Sequence, residues 1–182
     1  MKHLKKQLSI LILLLSISLL TSAQNYTSSF GISSGYVQDG IGVQAIYNYP
    51  LNNHEYLQGA AFLTFSKENY LDMSLNTNIY SLNVGYFNTV WRNMKRTINT
   101  SLGAGIIGGY ENINNGTLEL DNGALITSDS QFIYGVFIAS ENDIFLNDKS
   151  SLILKLQQYY HINSDAGNLI PFISIGYRRY IF

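Results

Sequence analysis

The chain has no cysteine among its 182 residues, two prolines and one tryptophan. Lacking cysteine, it has no disulfide framework and no thiolate chemistry. Two prolines leave long hydrogen-bond ladders uninterrupted. Charged residues make up only 13% of the chain, and no basic run of the kind nucleic-acid binding needs is present. After the first twenty or so residues no apolar run reaches the roughly 20 residues of a membrane helix. Any membrane location must therefore come from strands that alternate in polarity.

The first residues read as an export signal. Lys2, Lys5 and Lys6 precede the apolar run Leu8–Leu20, and Thr21, Ser22 and Ala23 supply small residues for cleavage. Residues 1–23 are expected to be removed, so that the mature chain starts at Gln24. An uncleaved anchor helix is the alternative, but the run is short for a span. No cysteine follows it, which excludes lipoprotein processing. Loss of the three lysines leaves eight basic residues against twelve acidic ones, a mature net charge of about −4.

What is abundant is tyrosine, 14 residues, together with glycine, 15 residues. Tyrosine suits half-buried strands and membrane–water interfaces. The organising stretch is Thr97–Tyr110, TINTSLGAGIIGGY. Its even positions include Ile98, Leu102, Ala104, Ile106 and Tyr110. Its odd positions are polar or small, with Ile107 the exception. A period of two defines a strand with two different surroundings. Its length exceeds the ~5–6 residues of an ordinary strand and suits the 9–11 of a tilted transmembrane one.

Similar alternation marks seven further segments, giving strands over Ser28–Val37, Ile41–Tyr49, Glu55–Ser66, Asn78–Val90, Ser130–Glu141, Ser150–Ile162 and Leu169–Phe182. Connections near Asn52, Asn93 and Asn147 are short. Those over Lys67–Thr77, Glu111–Asp129 and Asn163–Asn168 are longer, and the first, Gln38–Gly40, is short. This predicts one all-β domain, residues 24–182. It is an eight-stranded antiparallel up-and-down transmembrane β-barrel of the outer-membrane type, with both termini in the periplasm. A soluble lipocalin-like barrel in the periplasm that binds an apolar ligand would carry the same alternation with its faces inverted. The glycine-rich small face favours the membrane form, because a solvent face normally carries Lys and Glu.

In the membrane form Leu102, Val84 and Leu154 face lipid, and Glu141, Lys155 and Arg178 face the bore as a polar core. An eight-strand bore is just filled by side chains, which argues against a wide diffusion pore. Trp91 suits an interfacial girdle. Phe182 is a terminal aromatic of the kind that the outer-membrane assembly machinery reads. On the last strand Ile173, Ile175, Tyr177 and Ile181 share a face that Arg179 interrupts, and either face could meet lipid.

Catalytic chemistry finds little to build on. His54 and His161 are expected at opposite ends, so they make neither a metal site nor a shared base. His161, Ser164 and Asp165 lie close along a loop, an arrangement ordinary turn chemistry explains. No phosphate-binding loop or dinucleotide fingerprint is present. Asn25, Asn99 and Asn115 open glycosylation triplets, a pattern frequent by chance. No catalytic, cofactor-binding or metal-binding residue is expected, nor any nucleic-acid contact or small-molecule substrate.

The second half of the chain, Tyr80–Phe182, resembles the TraO proteins of Bacteroides-type conjugative transposons. The resemblance rests on SLGAGIIGGYENIN (Ser101–Asn114), LELDNGALI (Leu118–Ile126) and SQFIYGVF (Ser130–Phe137) in that order, with a short closing strand. The first half agrees in layout: an export signal, then short glycine-rich strands. The resemblance implies a role in conjugative DNA transfer, in the envelope part of the mating apparatus, and brings no catalytic residues with it. Contact with other apparatus proteins is then expected through the long loop 111–129, with outer-membrane lipid around the barrel. A general barrel for envelope stability or adhesion is the alternative.

Overall fold

The computed structural model describes residues 27–70, 73–95, 97–117, 130–165 and 167–181. The export signal, the Asn25 triplet, Phe182 and most of the loop 111–129 lie outside these residues. Eight strands close into one antiparallel barrel in sequence order. They are β1 (Ser28–Val37), β2 (Gly40–Pro50), β3 (Glu55–Tyr70), β4 (Met73–Arg92), β5 (Ile98–Ile113), β6 (Gln131–Asn147), β7 (Ser150–His161) and β8 (Leu169–Ile181). β1 pairs with β8 from Ser28↔Ile181 to Val37↔Phe172, which seals the ring. Closure leaves no free strand edge within the ring, so the ladders pair its backbone internally, the condition for crossing lipid with strands.

The two prolines sit where the ladder can spare a donor. Pro50 is the last paired residue of β2. Pro171 lies one residue past the end of the β1–β8 ladder, whose final pair is Val37↔Phe172. Between β1 and β2 the two-residue turn Gln38–Asp39 places Asp39 at φ 57°, a left-handed conformation Asp tolerates.

The ends differ from the sequence expectation at three places. Lys67–Thr77 is not a long loop. Lys67–Tyr70 pairs with Met73–Asn76, so β3 and β4 form a two-stranded ribbon beyond the last β2 and β5 partners, Gly40 and Ile113. The segment is rich in Lys, Glu, Asn, Asp and Ser, and pairing in water needs no apolar alternation. β6 continues past Glu141 to Asn147, which brings Asp143 into the sheet opposite Asn99 and Ile153. β5 extends to Ile113 and is followed by a 3-10 turn, Asn114–Gly116, so the connection to β6 begins later than Glu111.

Side-chain orientation follows the membrane arrangement. Leu102, Val84 and Leu154 are on the outside, 51%, 55% and 40% exposed. Isoleucines, leucines and tyrosines cover the outer wall on all eight strands. A soluble monomer rarely exposes a contiguous apolar surface above a few hundred Å². The last strand resolves the same way: Ile173, Ile175, Tyr177 and Ile181 face out with Arg179, while Ser174 and Arg178 are buried. Exposed aromatics gather in two bands. Tyr36, Tyr80, Tyr110 and Tyr160 lie toward the end with the β3–β4 ribbon, here the distal end. Tyr49, Tyr86, Trp91 and Tyr177 lie toward the end holding both termini, here the terminal end. A register shift between Thr89 and Trp91 lets Trp91 face outward directly after Val90.

Candidate functional site

The bore is built in two layers. Glu141 and Asp143 from β6, Lys155 from β7 and Arg178 from β8 are all buried. Each projects inward because it shares its strand's small or polar register. Glu141 is the hub. Its Oε1 accepts from Arg178 Nη2 at 2.6 Å and from the Tyr56 hydroxyl at 2.9 Å. Its Oε2 accepts from Gln58 Nε2 at 3.1 Å and lies 3.6 Å from Lys155 Nζ. Arg178 Nη1 bonds Asp143, whose other oxygen accepts from Ser151 Oγ at 2.9 Å. Lys155 also donates to Gln44 and Gln58 and stands 5.3 Å above the Phe87 ring. Two cations thus face two carboxylates, with hydroxyl or amide groups also bonded to three of the four oxygens. Buried charges in this setting persist only when so paired.

Against this lies an aromatic layer. Phe62, Phe87, Phe137, Tyr159 and Phe172 are at most 2% exposed and fill the bore with Val37 and Ile107. Phe62 stacks on Tyr159 with centroids 4.9 Å apart, and Phe172 meets Phe62 at 4.8 Å. The Tyr159 hydroxyl accepts from Gln44 Nε2 at 3.1 Å and Asn83 Nδ2 at 2.9 Å, joining the aromatic layer to the polar one. Tyr159→Phe would leave both amide donors without that acceptor. The expected loss is about 1–3 kcal/mol of barrel stability, read as a lower urea midpoint for the refolded protein.

The terminal end holds a recess of about 140 Å³, lined among others by Asp143, Arg178, Tyr56, Arg92 and His54. His161 is at the other end, as expected, buried beside Tyr159. Neither of its ring nitrogens has a hydrogen-bond partner among the described residues. The neighbouring Ser164 does not turn to it. Ser164 Oγ donates to Glu111 Oε1 at 2.8 Å and the Asp165 amide to Glu111 Oε2 at 3.1 Å. These bonds tie the β7–β8 connection to the end of β5. Among the described residues no three His, Cys, Asp or Glu side chains converge as metal ligands. Asn99 lies within β5.

Sequence reasoning found Glu141, Lys155 and Arg178 but missed Asp143, which it left beyond the end of strand six. It also missed most of the aromatic layer. Phe137 and Ile133 share the inward register with Gly135 and Ala139, and that parity was the available signal.

No curated protein matches the chain. Among solved structures it is similar to a major outer membrane protein from Thermus thermophilus. That match has a TM-score of 0.62 and 9% identity, covering 85% of this chain and 99% of that one. Neisserial surface protein A matches with a TM-score of 0.58 and 14% identity, over 85% and 96% of the two chains. Ail of Yersinia pestis, the attachment invasion locus protein, matches with a TM-score of 0.53 and 12% identity, over 86% and 97%. At such identities the likeness is one of fold: all three are small barrels, and outer-membrane barrels are the structures this chain resembles. The family model for the conjugative transposon protein TraO matches residues 22–181, which takes in every strand of the barrel. With that span matched, the chain belongs to the TraO family of conjugative transposon proteins.

Proposed function

We propose that this barrel is a non-enzymatic envelope component of a conjugative DNA-transfer apparatus, working by contact rather than by chemistry or conduction. The observation that carries the reading is the filled bore. Aromatic side chains and a neutral ion-pair network occupy the interior of a barrel whose whole length matches a conjugation family. What remains available to partners is the rims. The largest connection at the distal end is the segment between β5 and β6. Its core, residues 118–129, is the contact surface for other apparatus proteins.

Replacing residues 118–129 by a short Gly-Ser linker leaves β5 and the Glu111 bonds in place. Transfer frequency is expected to fall tenfold or more, the effect of losing ~1.4 kcal/mol at a contact. Membrane level and heat-modifiable gel migration should stay as in the parent protein. Unchanged mating at a normal protein level would favour the alternative, a barrel serving envelope stability or adhesion.

A further inference from the structure

The charges of the mature chain are sorted by end. Of its eight cations, Lys155 and Arg178 lie in the bore and Lys67 at the distal end. Arg92, Lys95, Lys149 and Arg179 fall on terminal-end segments, where only Glu55 and Asp148 are acidic among the described residues. Among the described residues Asp39, Glu68, Glu111 and Asp165 fall on distal segments. The terminal rim is thus basic in a chain that is acidic as a whole.

Arg179 makes the pattern specific. It stands on the lipid-facing register among Ile175, Tyr177 and Ile181, opposite Phe30 and Ser150. A cation on that wall is costly unless an interfacial partner meets it. With Lys149, Ser150 and Tyr177 it lines an outer groove of about 430 Å³, which Asn147 and Asp148 complete. Neither Arg179 nor Lys149 is in an ion pair among the described residues. Two free cations and a tyrosine at interfacial depth suit a phosphodiester, while the Ser150 hydroxyl is held by Asn147 Oδ1 at 3.0 Å. The Asp148 carboxylate disfavours an anion there, and the two cations outweigh it. Lys95, exposed in the β4–β5 turn four residues after Trp91, extends the basic rim.

We infer that the terminal rim binds anionic phospholipid of the inner leaflet, holding the headgroup phosphate between Lys149 and Arg179 and along the Lys95 turn. This rests on the membrane-spanning reading with the termini in the periplasm. It adds the class of lipid and the side of the membrane. Each cation near a charged lipid surface contributes roughly a fivefold preference, which salt weakens.

Trp91 is the chain's one tryptophan and reports on the rim directly. The mature barrel is refolded into vesicles of equal phosphatidylcholine and phosphatidylglycerol, with bromine on one lipid or the other. Brominated phosphatidylglycerol is expected to quench Trp91 more strongly than brominated phosphatidylcholine. Lys95→Gln should bring the two toward parity. Equal quenching in the parent protein, or a preference that survives Lys95→Gln and high salt, overturns the Lys95 contact. The groove is read separately, by the phosphatidylglycerol retained through detergent extraction in native mass spectrometry. Arg179→Leu, which suits the lipid wall, should lose that adduct severalfold while keeping its heat-modifiable shift. Retention equal to the parent's overturns the groove site, and displacement of the adduct by inorganic phosphate assigns the groove to a free anion instead. Loss of heat modifiability in the parent protein would instead strike the membrane-spanning reading.

Discussion

Glu141→Ala is expected to destabilise the folded barrel by about 3–5 kcal/mol, the cost of leaving buried charge uncompensated. Glu141 holds Arg178 and faces Lys155, so its removal strands a net positive charge in an interior that side chains fill. Arg178 retains Asp143, and Lys155 keeps the amide oxygens of Gln44 and Gln58 and the Phe87 ring but no carboxylate. The measurement is urea unfolding of the refolded protein, with the heat-modifiable band as readout. The informative partner is Glu141→Ala combined with Lys155→Met. That pair leaves Arg178 against Asp143, one cation and one carboxylate, so much of the lost stability should return. If the double variant is as unstable as the two single losses added together, the charges act independently and the network description fails.

Gly105→Leu should be nearly as damaging, at roughly 3 kcal/mol or more, because the inner wall has no room there. A Cβ at Gly105 would collide with the Val84 carbonyl oxygen and lie 2.5 Å from the Gly85 Cα. Both are backbone atoms of the neighbouring strand, which cannot swing aside as a side-chain tip can. The Phe137 ring crosses the same place, 2.7 Å from that position. Gly108, three residues on, faces outward, and a Cβ there meets nothing within 4 Å. Gly108→Leu is therefore expected to fold normally, since it adds apolar surface to the lipid side. The contrast between two glycines of one strand tests the inside–outside assignment directly. Equal behaviour of the two variants in a refolding assay would contradict it.

How far the sequence reaches can be judged from the same residues. The parity of β5 put Gly105 inside and Leu102 outside, because a strand between lipid and a crowded bore must alternate at every step. That constraint lapses where the strands leave the membrane. The β3–β4 ribbon beyond Ser66 was therefore unreadable as strand, whereas Asp143 keeps the inward parity of β6 and was hidden by the polar Asn142 on the outer register. Contacts across the bore were equally hidden. Glu141 and Arg178 are 37 residues apart in sequence, Gln44 and Tyr159 are 115, and nothing local links them.

By itself, then, the sequence determined the number of strands, their order and which face meets lipid on all but the last, since period two is a local property of the chain; on β8, where Arg179 interrupts the apolar face, the structure decided it. It also carried the family, in Ser101–Phe137 above all. Only the closed barrel decided which charges meet, where the aromatic layer seals the bore and how the basic residues collect at one rim. Those depend on ring closure and on the register between strands, which bring side chains from distant segments to a common height.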